Sequence, residues 1–383
     1  MKKYKTIIIG GGISGIGCAY NLIKNKYYNF KIISPDIGGR IIESDSKEVE
    51  YGAYYVMDIY HNVKEFVNIG HRIYSTRIMF HNKKRIYTLF NKKILKNIKE
   101  LIRFLIILHK FKRHYSSFKK CNLYQSQINC LRNDSYLWSL YHQQATDFIK
   151  KHKISNIIYD YMAEVLHGTT FVPIKKLNAF TFLHFSLPLI VPIYEFSFKK
   201  EKLLRILKKY FIKDQVHQIK YDNEKSLYQI ITKKKKVYYS QNVVIATQPH
   251  IAKKLLNIKQ QIKGPANAHM FHIVGELTNE WNGKDLHLFR DDKRLLAIAH
   301  QANHSFLLYS IHKDLNIKKY FHNYKIIKHK LWKPAFNISG SELLKFNQGK
   351  NLYLIGDHNV IGIEPSYIYG KYCANKILGK TKD

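Results

Sequence analysis

TIIIGGGISGIGCAYNL, residues Thr6–Leu22, is the stretch on which the reading of this chain turns. A short apolar run, Ile7–Ile9, stops at consecutive glycines. A helical pattern then opens at Ser14, with Ile16, Ala19 and Tyr20 at helix spacing. Gly10, Gly12 and Gly15 stand at the spacing G-x-G-x-x-G. In a strand–turn–helix unit the first glycine permits the tight turn. The second lets the backbone approach a pyrophosphate, and the third lets the helix close on the strand. The helix start, at Ile13 and Ser14, offers unpaired N–H groups and a partial positive charge to phosphate oxygens. A glycine-rich turn by itself is only a turn. Placed after a strand and before a helix, this one predicts a dinucleotide site and an α/β fold with a Rossmann-like domain.

The chain has 383 residues, enough for a large core and two domains. At 45% hydrophobic and 24% charged its composition is globular. No apolar run reaches the roughly 20 residues of a membrane-spanning helix. Leu101–Leu108 and Leu187–Ile193 are both too short. The N-terminus enters a strand directly, unlike a secretory signal. Cys18, Cys121, Cys130 and Cys373 are scattered without metal-type spacing. Cys18 and Cys373 fall in expected helices and read as small buried residues. A reducing cytoplasm is the expected setting.

The formal net charge is +37. One reading is an anionic partner: lipid, acidic substrate or nucleic acid. The preferred reading is compositional bias, because Lys, Ile, Asn and Tyr are abundant together and the cations run along the whole chain. No nucleic-acid motif accompanies them, so no nucleic-acid partner is expected.

Beyond the glycine loop, Phe30–Ile33 reads as the second strand. In dinucleotide folds its end usually carries an acid for the ribose. Here Ser34 stands there, followed by Pro35 and Asp36. Next comes Gly38-Gly39-Arg40, which can bring backbone N–H groups and a cation to the same pyrophosphate. GGGISGIG followed by IGGR resembles the flavin-containing amine oxidase superfamily. That group includes monoamine and polyamine oxidases, protoporphyrinogen oxidase and the phytoene desaturases, with UDP-galactopyranose mutase as a related branch. The resemblance implies FAD as cofactor and a cofactor domain interrupted by an α+β substrate domain; Asn337–Leu343 has no cysteine at a plausible attachment point, so the flavin is expected to be held non-covalently. On the family pattern, 1–48, 195–262 and 340–383 form the FAD-binding domain, and 49–194 with 263–339 the substrate domain.

The same resemblance extends to further segments. VEYGAYYV (Val49–Val56) is similar to the family segment that passes the flavin, with Gly52 as its glycine; an ordinary turn is the competing reading. Val216 in VHQI matches the position whose backbone contacts adenine. Ala246, in the buried strand NVVIAT (Asn242–Thr247), suits close approach to the cofactor. The closing run NLYLIGDHNVIGIEPS places Gly356, Asp357, Ile363 and Glu364 where the family turns toward the flavin. Asp357 can accept from ribityl hydroxyls or reach the pyrophosphate through a bridging group. A helix opening at Ile363 would set its positive end against the anionic reduced flavin.

The rest of the chain reads as elements. Phe80–Phe90 is an expected hairpin turning at Asn82-Lys83-Lys84. Ile94–Lys119 is a basic, apolar helical stretch. Packing on its neighbours is the preferred reading, and peripheral contact with an anionic membrane the other. Ser135–Lys153 and Ile154–Leu166 are expected helices, and Lys202–Phe211 an amphipathic one. Leu227–Thr232 and Val237–Tyr239 form a hairpin around Lys233–Lys236. His269–Val274, Leu286–Phe289, Leu295–Ala299 and Phe306–Ile311 alternate as antiparallel strands. His142, His152 and His167 match no ligand pattern, so no metal is expected.

The leading function is an FAD-dependent oxidoreductase moving a hydride from a C–H or C–N bond of a small or apolar substrate to flavin N5. Many amine oxidases carry a lysine early in the substrate sheet; His269 and His272 stand there instead, which leaves the reaction open. A nucleotide-sugar mutase and a non-catalytic flavin-binding protein are the alternatives. Catalytic residues and oligomeric state are not legible.

Overall fold

The computed structural model describes residues 2–53, 55–82, 85–89, 91–278, 285–289 and 294–381, with the side chains of Asn82, Arg85 and Lys93 left aside. The first strand, Lys2–Gly12, lies inside a sheet, hydrogen-bonded in parallel to Phe30–Gly38 on one side and Val237–Ile245 on the other. Ile7, Ile8 and Ile9 pair with Lys31, Ile32 and Ile33, and with Val243, Val244 and Ile245. Both faces are covered, as a parallel sheet requires. Ile8 enters the large core, while Ile7 and Ile9 enter a smaller one with Ile230, Val243 and Leu354. Phe211–Lys213 extends the sheet beyond Phe30–Gly38, and Leu352–Leu354 extends it beyond Val237–Ile245.

Val237–Tyr239 and NVVIAT, expected as separate strands, belong to one. Val237–Ile245 pairs antiparallel with Leu227–Thr232 along its first half and parallel with the first strand along nearly all of it. Its polar middle hid the continuity: Ser240 donates to the Asn242 carbonyl and Asn242 Nδ2 to the Lys5 carbonyl.

The first helix, Ile13–Lys24, crosses the last helix, Ile363–Ile377, at very short range. A Cβ on Gly17 would lie 2.5 Å from the Tyr367 carbonyl oxygen, and one on Gly370 would lie 2.0 Å from that of Ser14. No larger residue fits either position without moving a helix.

A second sheet runs in the order 321–339, 264–277, 306–310, 295–300, 286–289, 78–82, 85–88. It is antiparallel except where Leu286–Phe289 pairs with Ile78–Asn82. The expected hairpin forms, though Lys83 and Lys84 of its turn lie outside the described residues. A small third sheet joins Val56–Met57 and Val67–Ile73 to Ile193–Phe198. Most of the helices lie between residues 92 and 189.

Two expected helices are broken. Ser135–Lys153 divides into Ser135–His142 and Ala145–Lys151, because Gln143 and Gln144 are extended. The backbone at this break bonds to a distant segment: Ala145 N to the Leu177 carbonyl, and Ala179 N to that of Gln143. The Ile94–Lys119 stretch divides at Asn97 into Lys92–Lys96 and Ile98–Cys121. Phe104, Ile107, Leu108, Phe111, Tyr115 and Phe118 form the buried face of that long helix.

Cys121 and Cys130 form a disulfide with 5.9 Å between Cα atoms. This departs from the unpaired cysteines expected in a reducing setting. The turn after the long helix brings together two residues whose spacing alone carried no such signal. Cys18 and Cys373 are buried free thiols in the first and last helices.

Candidate functional site

The glycines of the first loop divide into two kinds. Gly10 has φ +116°, and a Cβ there would sit 2.5 Å from the Ala246 carbonyl oxygen. A Cβ on Gly15 would sit 2.1 Å from the Gly10 carbonyl oxygen. The Ala246 amide in turn donates to the Ile9 carbonyl at 2.8 Å. Gly10 and Gly15 are thus required by the packing of strand, turn and helix on one another and on the Ala246 backbone. Gly12 has an ordinary φ of −74°. A Cβ there would meet only the Gly39 Cα, at 3.9 Å. Its smallness answers no clash within the chain; it leaves open space at the helix start.

Gly38 and Gly39 both have positive φ and bring the second glycine motif against the first. A Cβ on Gly39 would approach the Gly12 Cα to 2.9 Å. The first helix opens at Ile13 and Ser14 with no side-chain cap and no acid in its first turn. Its end therefore keeps its positive character and its amide donors for a ligand. The loops involved follow the C-terminal ends of adjacent parallel strands, where open α/β sheets bind ligands.

Arg40 joins this loop to the closing motif, 317 residues later in the chain. Its guanidinium pairs with Asp357 Oδ2 at 2.5 Å and donates to the Ala335 carbonyl at 2.7 Å. Asp357 is buried. Burial alone would raise its carboxyl, but Arg40 outweighs burial and holds it below the usual carboxylate range. Gly356, at φ +137°, makes the turn. His358 Nε2–H donates to the Ile355 carbonyl at 3.0 Å, and its Nδ1 is buried without a partner. Burial pushes that imidazole down to about 4, so it is neutral at pH 7. Thr247 Oγ1, one residue beyond Ala246, is likewise buried and unpartnered. A glycine cradle, an uncapped helix end and two orphaned polar atoms fit a bound dinucleotide.

Two residues that sequence reasoning missed fix the closing loop. The Asn359 carbonyl accepts from Tyr141 Oη at 2.6 Å and from Lys263 Nζ at 2.8 Å. The Asn359 side chain bonds the Leu344 backbone in both directions. Lys263 is enclosed, with its ammonium 4.6 Å from the Tyr141 ring centre. Burial pushes it down to about 7, against the pull of Glu342 and Asp357. It immediately precedes the strand Gly264–Leu277, but in the sequence it is one of 64 Lys and Arg.

Other expected site residues are placed differently. Glu364 has no exposure, and its carboxylate accepts from the amides of Asn62 and Val63 and from Asn62 Nδ2, at 2.8–3.1 Å. Its side chain is a strap on the 62–63 turn. Ile363 opens the last helix as expected, behind Gly362 at φ +133°. Gly52 answers a contact within the chain, since a Cβ there would fall 1.5 Å from the Arg40 carbonyl oxygen. Val216 opens the strand Val216–Asp222, pairs with Thr232 and packs in the smaller core. Asp36 is mostly exposed and accepts from the Ile37 amide and Lys200.

Residues 8–69 match the family model of an NAD(P)-binding Rossmann-like domain. Sequence comparison with curated proteins finds no match. Solved structures do match along nearly the whole length. A double mutant of putrescine oxidase superposes with TM-score 0.69 at 11% identity, covering 99% of each chain. The fatty acid isomerase from P. acnes that produces CLA gives 0.70 at 12%, covering 97% of this chain and 98% of its own. Cyclohexylamine oxidase from Brevibacterium oxydans gives 0.63 at 11%, covering 98% and 99%. This chain carries the fold of putrescine and cyclohexylamine oxidases, the group that its glycine motifs resemble.

Proposed function

We propose that the chain is an FAD-dependent oxidoreductase that takes a hydride from a C–H or C–N bond of a small or apolar substrate. The observation that carries this reading is the meeting of three sequence-remote motifs. Gly12 and Gly39 leave one open cradle at the start of the first helix, and Arg40 ties it to Asp357. Residues 1–48, 195–262 and 340–383 would form the FAD domain, with 49–194 and 263–339 holding the substrate. The amides at Ile13 and Ser14 would receive the pyrophosphate. Arg40 would hold Asp357 ionised and aimed, while Lys263 and Tyr141 fix the loop that carries it. Neutral His358 and Thr247 each have one buried polar atom to give to the ligand. Bound FAD would supply a two-electron acceptor.

Anaerobic mixing with candidate amines and unsaturated lipids tests the reaction. Bleaching of the flavin with stoichiometric product supports oxidation. A second reading, isomerisation without net oxidation, is favoured by the isomerase superposing as well as the oxidases do. It predicts turnover that leaves the flavin spectrum unchanged. The absence of both effects with an intact bound flavin would support a non-catalytic binding protein.

A further inference from the structure

The long helix Ile98–Cys121 shows an apolar face on each side. Its inner face is packed into the core, as described above. Ile98, Ile102 and Ile106, spaced four apart, line the outer side and are 42%, 53% and 65% exposed. Leu95, on the short helix just before, is 70% exposed. Residues at this spacing share one side of a helix, so the isoleucines form a continuous stripe. Lys92, Lys96, Lys99, Arg103, Lys110 and Arg113 are exposed around it. Residues 92–121 contain ten Lys and Arg and one acid, Glu100. Glu100 is committed inward, to Asn156 Nδ2 at 2.8 Å and the Ile157 amide at 3.1 Å.

We propose that this face docks on an anionic lipid bilayer, with Leu95, Ile98, Ile102 and Ile106 entering the headgroup boundary. Charge complementarity selects the occupant. A second copy of this chain would set the same cations against themselves, in a molecule already at +37. A nucleic acid would use the cations but leave the isoleucines in water. An anionic bilayer uses both, since apolar burial and basic side chains act together at such interfaces. The inference does not depend on the flavin reading.

The test is co-sedimentation of the full-length protein with vesicles of phosphatidylcholine alone and of phosphatidylcholine mixed with phosphatidylserine. The wild type is expected to bind the mixed vesicles and to fall off as salt rises. The double substitution Ile102→Glu with Ile106→Glu should lower partitioning at least roughly tenfold. A control with the same charge change, Ile326→Glu with Ile327→Glu, alters another exposed pair, 44% and 46% accessible. It should stay within about twofold, because its residues lie outside the stripe. Equal losses in both variants, or no preference of the wild type for phosphatidylserine, would overturn the proposal. A concentration-dependent dimer abolished by the stripe variant would also overturn it. Should the stripe variant fail to fold, Ile106→Cys labelled with an environment-sensitive dye replaces it. A blue shift on adding mixed vesicles is expected, and an unchanged emission would refute insertion.

Discussion

Gly12→Val separates the ligand cradle from the fold. The Gly12 backbone, at φ −74° and ψ 177°, is extended, a conformation that suits a β-branched residue. The nearest atom to its new Cβ is the Gly39 Cα at 3.9 Å, an ordinary contact. The folding cost should therefore be little more than the loss of a good helix N-cap, about 1 kcal/mol. The isopropyl group would fill the space where a pyrophosphate meets the helix amides. Losing two charge-assisted hydrogen bonds, each roughly 1.5–3 kcal/mol, predicts FAD affinity lower by roughly 10²- to 10⁴-fold. Gly15→Ala is the contrasting variant. Its Cβ lies 2.1 Å from the Gly10 carbonyl oxygen, so backbone must move. It should lose about 1–3 kcal/mol or more of stability. Thermal melting and flavin titration of both variants form the assay. A Gly12→Val protein that binds FAD like the wild type, or that does not fold, would refute the division of roles.

Asp357→Ala leaves Arg40 without its ion partner; it should weaken FAD binding by roughly ten- to a hundredfold in a titration. Equal affinities would remove Asp357 from the site. Glu364→Gln should instead cost stability, roughly 1.5–3 kcal/mol in urea, because the carboxylate serves the 62–63 turn. FAD affinity of the folded protein should stay within a few-fold, and a large loss would place the Glu364 side chain at the cofactor. Lys263 is pushed down from 10.5 to about 7 on folding, so the unfolded chain binds its proton more strongly. The destabilisation is fully present below pH 7 and is relieved as pH rises toward 10.5, with a slope of at most about 1.4 kcal/mol per pH unit. Lys263→Met should flatten the stability profile between pH 7 and 9. An unchanged profile would mean that Lys263 does not titrate in this window.

What the sequence made legible was local. The glycine loop is read from residues within a few positions of each other, and Gly15 answers a contact made inside one strand–turn–helix unit, although Gly10 also answers the distant Ala246 backbone. The antiparallel strands of the second sheet showed their period for the same reason. Meaning that depends on distant pairing stayed hidden. The Glu364 carboxylate finds its partners 301 and 302 residues away. Lys263 is separated by 96 residues from the carbonyl it holds, and it resembled the other cations of a basic chain. The helix expected over Ser135–Lys153 breaks because Gln144 bridges to Asn178, a pairing that no local pattern announces. Even two motifs both expected beside a cofactor did not disclose that Arg40 would hold Asp357 directly.

The cradle of Gly12, Gly39, Arg40 and Asp357 is proposed to receive FAD without a covalent bond. The direct measurement is titration of the purified protein with FAD and, separately, with a nicotinamide dinucleotide, followed by heat precipitation. One FAD is expected to bind per chain, with a much weaker response to the nicotinamide dinucleotide and all flavin released to the supernatant. Tight binding of the nicotinamide dinucleotide without FAD, or flavin retained in the precipitated protein, would contradict it.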